Sequence, residues 1–424
     1  MSGLSDKPTA HPSAVSGVLR RPFAEQVAFF RRKLRKRVPT RRWDDLTGEA
    51  HDTAFMVAGA AKADLLTDLA AAVDKTLAEG LGIEAFRKDF RAIVARNGWT
   101  GWTGEGSVKG EAWRVKTILR TNAYTSYSAG RFAQLTEANW AFWVYRHGGS
   151  LEPRPQHLAW NGLFLPPAHP FWTKFYPPSD WGCSCYVLGA RSERGAIRLG
   201  GDPAKKLPAN WKVIDPKTGE PFGIGKGWGY APGASVAQAV STAAGKIGSW
   251  DYRIAKAFMD SLAPADQDAL STAYRRLPST ADDARRYARR IWQDLPDPEP
   301  GRTLGLLRGD QAAAIASEKR LDATGFDFSL SPQELRHIRR EHGDAKIEQR
   351  RGQRAIDDDD FALLPAIIEA GKPRFIGVSD GHKQPVFEIE ATIDGKQYVA
   401  RWEYWQRRRT LALLSFFVRT GERT

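Results

Sequence analysis

The sequence predicts a multidomain protein: a mainly α N-terminal region with a loop-rich Cys/His segment, followed by a C-terminal α+β domain with an antiparallel sheet. Three observations support this fold class. Apolar residues recur at three- and four-residue steps through much of 23–95 and 111–137. Both cysteines of the chain lie in a Pro- and Trp-rich stretch without clear periodicity. Near the C-terminal end, an Asp-Gly pair separates two alternating runs, which is typical of a β-hairpin.

Each element follows from its pattern. Amphipathic helices are predicted over 65–81, where LLTDLAAAVDKTLAEGL ends in glycine-punctuated sequence, and over 111–137. Asp394-Gly395 favours a tight turn, so the runs on either side of it form the hairpin. The predicted strands are 140–147, 386–393, 397–405 and 410–418.

Composition changes along the chain predict where one domain ends and the next begins. The Gly- and Pro-rich sequence DPKTGEPFGIGKGWGYAPG is typical of a linker, and PDPEPG of a boundary. The predicted segments are a flexible N-terminus 1–20, a helical and loop-rich domain 21–195, a linker or arm 196–250, a small helical segment 251–298 and an α+β domain 305–424.

The bulk composition excludes several classes of protein. A hydrophobic content of 42% and a charged content of 26% are ordinary for a soluble globular chain. Two cysteines one residue apart cannot cross-link distant segments, which excludes a disulfide scaffold. The N-terminal residues do not resemble a secretory signal, and the apolar runs are shorter than a membrane span. We therefore expect the cytosol, or a particle assembled there, and no membrane.

Positive charge is concentrated in the first three quarters of the chain. Basic and acidic residues nearly balance over 305–424, so most of the net charge of +14 lies before that block. The run RRKLRKRVPTRR, Arg31 to Arg42, contains eight cationic residues and no acid. It is either a solvated helix face or a non-specific contact for a phosphate backbone.

The paired cysteines raise the question of a metal. Thiols at positions i and i+2 rarely close a relaxed disulfide, but a turn at Gly182 lets both point inward and share a metal. Zinc then requires further ligands, and the nearest upstream imidazoles are those of His157 and His169. A structural zinc site at His157, His169, Cys183 and Cys185 is one interpretation. Two small buried thiols in a Trp-lined turn are the other.

An ordered set of short motifs resembles the phage Mu F-like head morphogenesis family, the minor head proteins of tailed phages and prophages. The resemblance covers roughly residues 20–240. The residues that carry it are Arg120, Asn122, Arg131, Tyr145, Arg154-Pro155, His157, Asn161-Gly162, Pro177-Pro178, Cys183 and Cys185. Ser150, Pro153 and Ser184 depart from the residues that the family often has there, which argues against a catalytic role for this loop.

This resemblance implies a function in the phage head. It implies a few copies per capsid near the portal, with the portal and major capsid proteins as partners and non-specific contact with packaged double-stranded DNA. The expected location is the virion, with the host cytoplasm during assembly.

The C-terminal block contains a histidine at the end of a predicted helix. Ser331 as N-cap, Pro332 at the first position and Glu334 as a capping-box partner predict the start of this helix, and Gly343 its end. His342 is in register with the apolar positions of the helix and therefore faces the interior. From spacing alone it is either a satisfied core residue or a catalytic group.

Residues 305–424 resemble the barnase/EndoU/colicin/RelE-like nuclease domains that are appended to phage head proteins. The resemblance implies metal-independent RNA cleavage. It makes His342 the candidate acid/base, Arg351 and Arg401 the candidate phosphate clamps and Ser415 a hydrogen-bonding partner. The alternative is that these arginines form surface ion pairs with neighbouring acids.

Three functional hypotheses follow. The first is a structural head protein with a nuclease-like C-terminal domain, and the second is a toxin-type ribonuclease delivered with the phage particle. The third, a metal-dependent nuclease built on the Cys/His loop, is disfavoured because the loop has no cluster of acids for a two-metal phosphodiester site.

Overall fold

The computed structural model describes residues 21–138, 140–150, 152–295 and 301–419. The predicted flexible N-terminus 1–20 and most of the PDPEPG boundary lie outside these residues. The chain divides into two units, Met1–Ala237 and Gln238–Thr424.

Helices form most of residues 21–138 in the first unit, as the periodicity predicts. The two predicted helices are present, although the first begins two residues earlier and the second three residues earlier than their patterns. The helices are α1 (Ala24–Lys33), α2 (Ala50–Thr53), α3 (Ala63–Ala78), α4 (Ile83–Asn97), α5 (Val108–Glu137), α6 (Pro155–Trp160), α7 (Phe171–Phe175) and α8 (Glu193–Arg198).

The apolar face of α3 lies at the centre of the helical core. Leu65, Leu66, Leu69 and Val73 are almost fully buried there, together with aromatic residues from α1 and α4. Such burial of large apolar side chains contributes roughly 1.5–3 kcal/mol each. The amphipathic pattern in the sequence therefore produces this packing.

A small antiparallel sheet joins α5 to the cysteine loop. Its strands are β1 (Phe142–Arg146), β2 (Phe164–Leu165) and β3 (Tyr186–Ala190), in the order β2-β1-β3. Arg146 of β1 pairs with Tyr186 of β3, immediately after Cys185. The predicted strand 140–147 is thus confirmed, and it lies next to the cysteines.

Residues 199–233 differ from the predicted linker. They include the short hairpin β4 (Ile214–Asp215) and β5 (Glu220–Pro221). Ile224, Trp228 and Ala231 are buried in the same apolar cluster as Cys183. The glycines and prolines here shape a chain that packs on the core through these apolar side chains, so this stretch belongs to the first unit.

Helices of the second unit precede and flank its sheet. They are α9 (Ala234–Ile247), which begins in the first unit, α10 (Tyr252–Asp260), α11 (Pro264–Arg275), α12 (Pro278–Trp292), α13 (Gly309–Lys319), α14 (Pro332–His342), α15 (Ala345–Arg350) and α16 (Leu364–Ala370). α14 has the predicted bounds and Ser331 is its N-cap, but the predicted capping box is wrong because the Ser331 side chain makes no capping hydrogen bond.

Within 301–419 the strands form a seven-stranded sheet. They are β6 (Arg302–Leu306), β7 (Asp327–Leu330), β8 (Gln353–Arg354), β9 (Arg374–Val378), β10 (Pro385–Ile393), β11 (Lys396–Trp405) and β12 (Thr410–Arg419). The order is β6-β7-β12-β11-β10-β9, and β8 pairs with β12.

The hairpin is confirmed: β10 and β11 pair through Ile393 and Lys396, and Asp394 and Gly395 both have positive φ. The predicted purely antiparallel sheet is wrong in one respect. β12 pairs in parallel with β7, because the connection from β7 runs through helices and the hairpin before the chain returns. The sheet is therefore mixed.

The predicted separate helical segment 251–298 is part of the second unit. Arg275 of α11 donates hydrogen bonds to the carbonyl oxygens of Leu304 and Leu306 at the start of the sheet. Tyr287 and Ile291 of α12 are buried in the cluster that contains the sheet's core residues. These helices therefore cover the sheet. Among the described helices, none combines the length and apolar character that a membrane crossing requires.

Candidate functional site

Three predicted metal ligands converge in the first unit. Nδ1 of His157 lies 3.6 Å from Sγ of Cys183 and 3.9 Å from Sγ of Cys185. All three side chains are buried. They form the one group of potential metal ligands found among the described residues, and we call it the His157 cluster.

The loop that carries the cysteines is fixed from several sides. Gly182 adopts a positive φ, which places the turn directly before Cys183. Arg120 of α5 donates a hydrogen bond of 2.7 Å to the Gly182 carbonyl oxygen, and Arg154 forms a 2.9 Å ion pair with Asp180. The Asp180 carboxylate is thus engaged by Arg154.

Backbone contacts orient the imidazole of His157. His157 lies on α6, which begins directly after Arg154 with Pro155 at its first position. The imidazole ring stacks on the ring of Trp160, with centroids 5.3 Å apart. The Nε2 atom lies 2.9 Å from the carbonyl oxygen of Gly223. Because a carbonyl oxygen accepts, Nε2 is the nitrogen that carries the hydrogen and donates it. This leaves the lone pair of Nδ1 directed at the sulfurs, as in metal-binding histidines.

The two thiols have opposite protonation tendencies. The hydrogen bond from Cys183 lowers the pKa of Cys185 to about 7, despite burial. That same hydrogen bond, together with burial, raises the pKa of Cys183 well above its usual value. For His157, burial opposes the charged form, but contact with Cys183 raises its pKa. His157 and Cys183 therefore share a proton, and a bound metal would displace that proton.

The residues present fit a zinc ion. Zn–S bonds of about 2.3 Å and Zn–N bonds of about 2.0 Å place nitrogen and sulfur about 3.5 Å apart in a tetrahedron, close to the separations in the His157 cluster. The cluster supplies three ligands. The Tyr145 side chain is fully buried beside the sulfurs, and burial, then Cys185 and Cys183, raise its pKa.

His169, the fourth predicted ligand, does not belong to this cluster. Its Nδ1 accepts a hydrogen bond of 3.1 Å from the backbone N–H of Phe171, at the start of α7. Its ring packs against Trp211, with centroids 5.8 Å apart. The structure therefore does not bring His169 to the other three predicted ligands, and its Nδ1 is engaged by the backbone instead.

In the second unit, the predicted acid/base His342 bridges two elements. Nδ1 lies 3.0 Å from a carboxylate oxygen of Glu348 on α15, and Nε2 lies 2.9 Å from Oγ of Ser415 on β12. The Glu348 side chain is fully buried, whereas 13% of the His342 side chain is exposed. We call these residues the His342 cluster.

The two predicted arginines lie around this cluster. Arg351 forms a 2.9 Å ion pair with Glu348, and 46% of its side chain is exposed. Arg401 is directly opposite Ser415 in the pairing of β11 with β12. It also forms a 2.9 Å ion pair with Glu388. The expected alternative of ion pairing thus occurs for both arginines, while both remain beside the histidine.

Sequence reasoning did not assign Glu348 or Phe417. The ring of Phe417 stacks on His342 at 5.4 Å, and the guanidinium of Arg401 lies 5.1 Å above the same ring. Glu348 stands six residues after His342 in a stretch dominated by cations, and Phe417 is part of an apolar strand pattern. Only the alternation of Ser415 and Phe417 on one strand face could have indicated their shared side.

Comparison with known proteins assigns part of the first unit. Residues 67–188 match the family described as Phage Mu protein F like protein. This Mu F-like region contains α5, β1 and the complete His157 cluster.

Two curated relatives match part of the chain. The chain is 31% identical over 217 residues to the Mu-like prophage FluMu F protein of Haemophilus influenzae, covering 46% of this chain and 52% of that protein. It is 32% identical over 185 residues to the Putative capsid assembly protein F of Escherichia phage Mu, covering 41% and 42%. The chain thus spans about half the length of the curated relatives it matches. No solved structure is detectably similar to it.

Proposed function

We propose that this chain is a phage or prophage minor head protein that acts in head morphogenesis near the portal. The observation that carries the proposal is the match of residues 67–188 to the Mu F-like family, together with a relative whose name describes capsid assembly. The portal and major capsid proteins are the proposed partners. The protein would then reside in the virion and, during assembly, in the host cytoplasm.

The positive charge of the first part of the chain supports contact with packaged double-stranded DNA in this proposal. Part of the run Arg31 to Arg42 is neutralised within the protein, since Arg31 pairs with Asp74 and Arg42 with Asp44. The remaining exposed cations would bind phosphates without reading bases. Such binding would weaken steeply as salt rises.

The experiment is deletion and complementation in a host that carries the phage. We expect deletion to reduce filled heads, and the tagged protein to co-sediment at low copy number with heads when it is restored. A His342→Ala form should restore heads equally well, because assembly is assigned to the first unit. Normal heads after deletion, or absence of the protein from them, would refute the proposal.

A second function, a metal-independent ribonuclease, is proposed for the second unit because of the Ser415–His342–Glu348 hydrogen-bond chain. Glu348 holds Nδ1, so Nε2 is the nitrogen that exchanges a proton. Nε2 would take the proton of a ribose 2′-hydroxyl, whose oxygen attacks phosphorus. The bond from phosphorus to the 5′-oxygen then breaks, and that oxygen takes up the proton that Nε2 accepted, which returns His342 to its starting state. Arg351 and Arg401 would stabilise the charge on phosphate.

The test is cleavage of a fluorescent RNA by the full chain in EDTA. General acid–base catalysis contributes roughly 10²–10⁴-fold, so we expect His342→Ala to lower the rate by at least about 100-fold. The matched control is His337→Ala on the same helix. Nδ1 of His337 accepts a hydrogen bond from Arg340 and takes no part in the His342 cluster. Equal rates for the two variants would refute the assignment. Growth arrest of a host expressing active but not His342→Ala protein would favour the toxin-type alternative.

A further inference from the structure

A cavity of about 590 Å³ lies within the first unit, between the loop after α1, the middle of α5 and the residues around Trp228. Its lining includes five cationic side chains and four tryptophans, but no aspartate or glutamate. Its size is within the range of about 300–1,000 Å³ that is typical of small-molecule sites. The charge of the lining favours an anion.

Lys33 is the clearest sign of a missing anionic partner. It lines the cavity, yet only 2% of the residue is exposed. Its ammonium group lies 5.1 Å from the centroid of the Phe29 ring, and no described residue forms an ion pair or accepts a hydrogen bond from it. Burial lowers the pKa of Lys33 to about 8. The negative charge of Asp52 partly offsets this effect, but Oδ2 of Asp52 accepts hydrogen bonds from Gly233 and Ser235 rather than from Lys33.

Arg114 presents a second buried cation to the same cavity. It is 6% exposed, and one guanidinium nitrogen donates to the carbonyl oxygen of Ala58. Its Nε has no acceptor among the described residues. A buried donor without a partner costs about 1–3 kcal/mol. The cations nearer the surface differ, since Arg42 and Lys226 both pair with Asp44.

Flat aromatic side chains line the accessible part of the cavity. Trp113 is 51% exposed, Trp181 39% and Trp43 38%, which is unusual for side chains of this size. The rings of Trp43 and Trp181 meet edge to face at 5.7 Å. Such indoles offer faces on which another aromatic ring can stack, and stacking of a base contributes about 1–3 kcal/mol.

We propose that this cavity binds a nucleotide, with its phosphate at Lys33 and Arg114 and its base against Trp113 and Trp43. The combination of buried unpaired cations with exposed indoles matches a ligand that carries both a phosphate and an aromatic ring. Two sources supply that chemistry: a free nucleotide, or the terminal nucleotide of a single-stranded nucleic acid.

Binding is measured with the full chain by calorimetry and by quenching of tryptophan fluorescence. The probes are inorganic phosphate, dAMP, dATP, a 5′-phosphorylated thymidine octamer and a glutamate-rich octapeptide. We expect nucleotides to bind at least tenfold more tightly than phosphate. Tighter binding of dATP assigns a free nucleotide, and tighter binding of the octamer assigns a strand end. No saturable nucleotide binding up to millimolar concentration, or binding of the acidic peptide alone, overturns the proposal.

Substitutions distinguish a binding site from a structural cation. Lys33→Met keeps the apolar stem and should weaken nucleotide binding at least tenfold while the protein remains folded, as its thermal unfolding would show. Lys88→Met, at an exposed position outside the cavity, should change neither. Trp113→Leu, which does not disturb the core, should reduce the preference for nucleotide over phosphate several-fold. Unchanged binding in both cavity variants overturns the proposal.

Discussion

The two units of this protein each contain a histidine that bridges two elements, but the partners of that histidine differ in kind. His157 meets two sulfurs and a backbone carbonyl oxygen, whereas His342 meets a carboxylate and a hydroxyl. Soft thiolates with an imidazole are zinc ligands. A carboxylate–imidazole–hydroxyl chain instead controls where a proton resides. We therefore propose a structural role for His157 in the first unit and proton transfer for His342 in the second.

The largest expected effect is loss of metal from the His157 cluster. We expect the purified protein to contain about one zinc per chain, and Cys185→Ser to contain almost none. Metal binding contributes folding free energy directly, so unfolding of the first unit, followed by tryptophan fluorescence, should require several kcal/mol less. Elemental analysis and denaturant titration check this. His169→Ala is the control and should keep its zinc; a metal-free wild-type protein would remove the contrast between the two histidines.

The next effect concerns the carboxylate of the His342 cluster. Glu348→Gln keeps the shape but removes the charge that orients His342 and pairs with Arg351. We expect RNA cleavage to fall by about 100-fold, which corresponds to about 2.7 kcal/mol. The steady-state rate in EDTA measures it, and EDTA itself should leave the wild-type rate unchanged. If chelator lowers the cleavage rate and Glu348→Gln does not, cleavage depends on a metal and the proposed role of the His342 cluster is wrong.

A smaller effect tests how tightly the cysteine loop is packed. A Cβ at Gly148 would collide with backbone atoms of Ser184, which lies between the two cysteines. Gly148→Ala should therefore destabilise the first unit by about 1–3 kcal/mol and weaken zinc retention. Gly149→Ala is a matched control, since its Cβ meets nothing within 4 Å and only its positive φ is strained. Equal losses for both variants would show that strain, not the collision, is responsible.

The smallest effect uses a third histidine, one with neither metal ligands nor a carboxylate. Burial and the charge of Lys33 lower the pKa of His51 from 6.5 to about 4. The unfolded chain therefore binds more protons between about pH 4 and pH 6.5, so stability falls as the pH is lowered through this window. After allowance for the partial exposure of His51, the free energy of unfolding falls by about 2 kcal/mol across this window. The free energy of unfolding is measured at pH 7 and pH 4.5. The difference between these two values should be correspondingly smaller for His51→Gln than for the wild type.

Local signals in the sequence predicted the elements that local chemistry determines. The periodicity of α5 and the Asp394-Gly395 turn both act within a few residues, and both predictions are confirmed. The pairing of β7 with β12 joins Asp327 to Thr410 across more than 80 residues. β7 itself has four residues, too few to display a period. Such contacts depend on tertiary packing and leave no local pattern.

The candidate sites divide in the same way. Residue chemistry predicts that Cys183, Cys185 and His157 meet, whereas sequence proximity is the only signal for His169, whose Nδ1 accepts a hydrogen bond from the backbone N–H of Phe171. No sequence pattern indicates Glu348. Its role depends on burial, which composition does not report.

The position of β12 has a consequence for synthesis. This strand is the last of the described residues, yet it lies inside the sheet, between β7 and β11. A ribosome must therefore synthesise the chain through β12 before the two halves of that sheet can join. Ser415 lies on the same strand, so a nascent chain that stops before β12 carries His342 without its hydroxyl neighbour, and the His342 cluster forms only once β12 has been made.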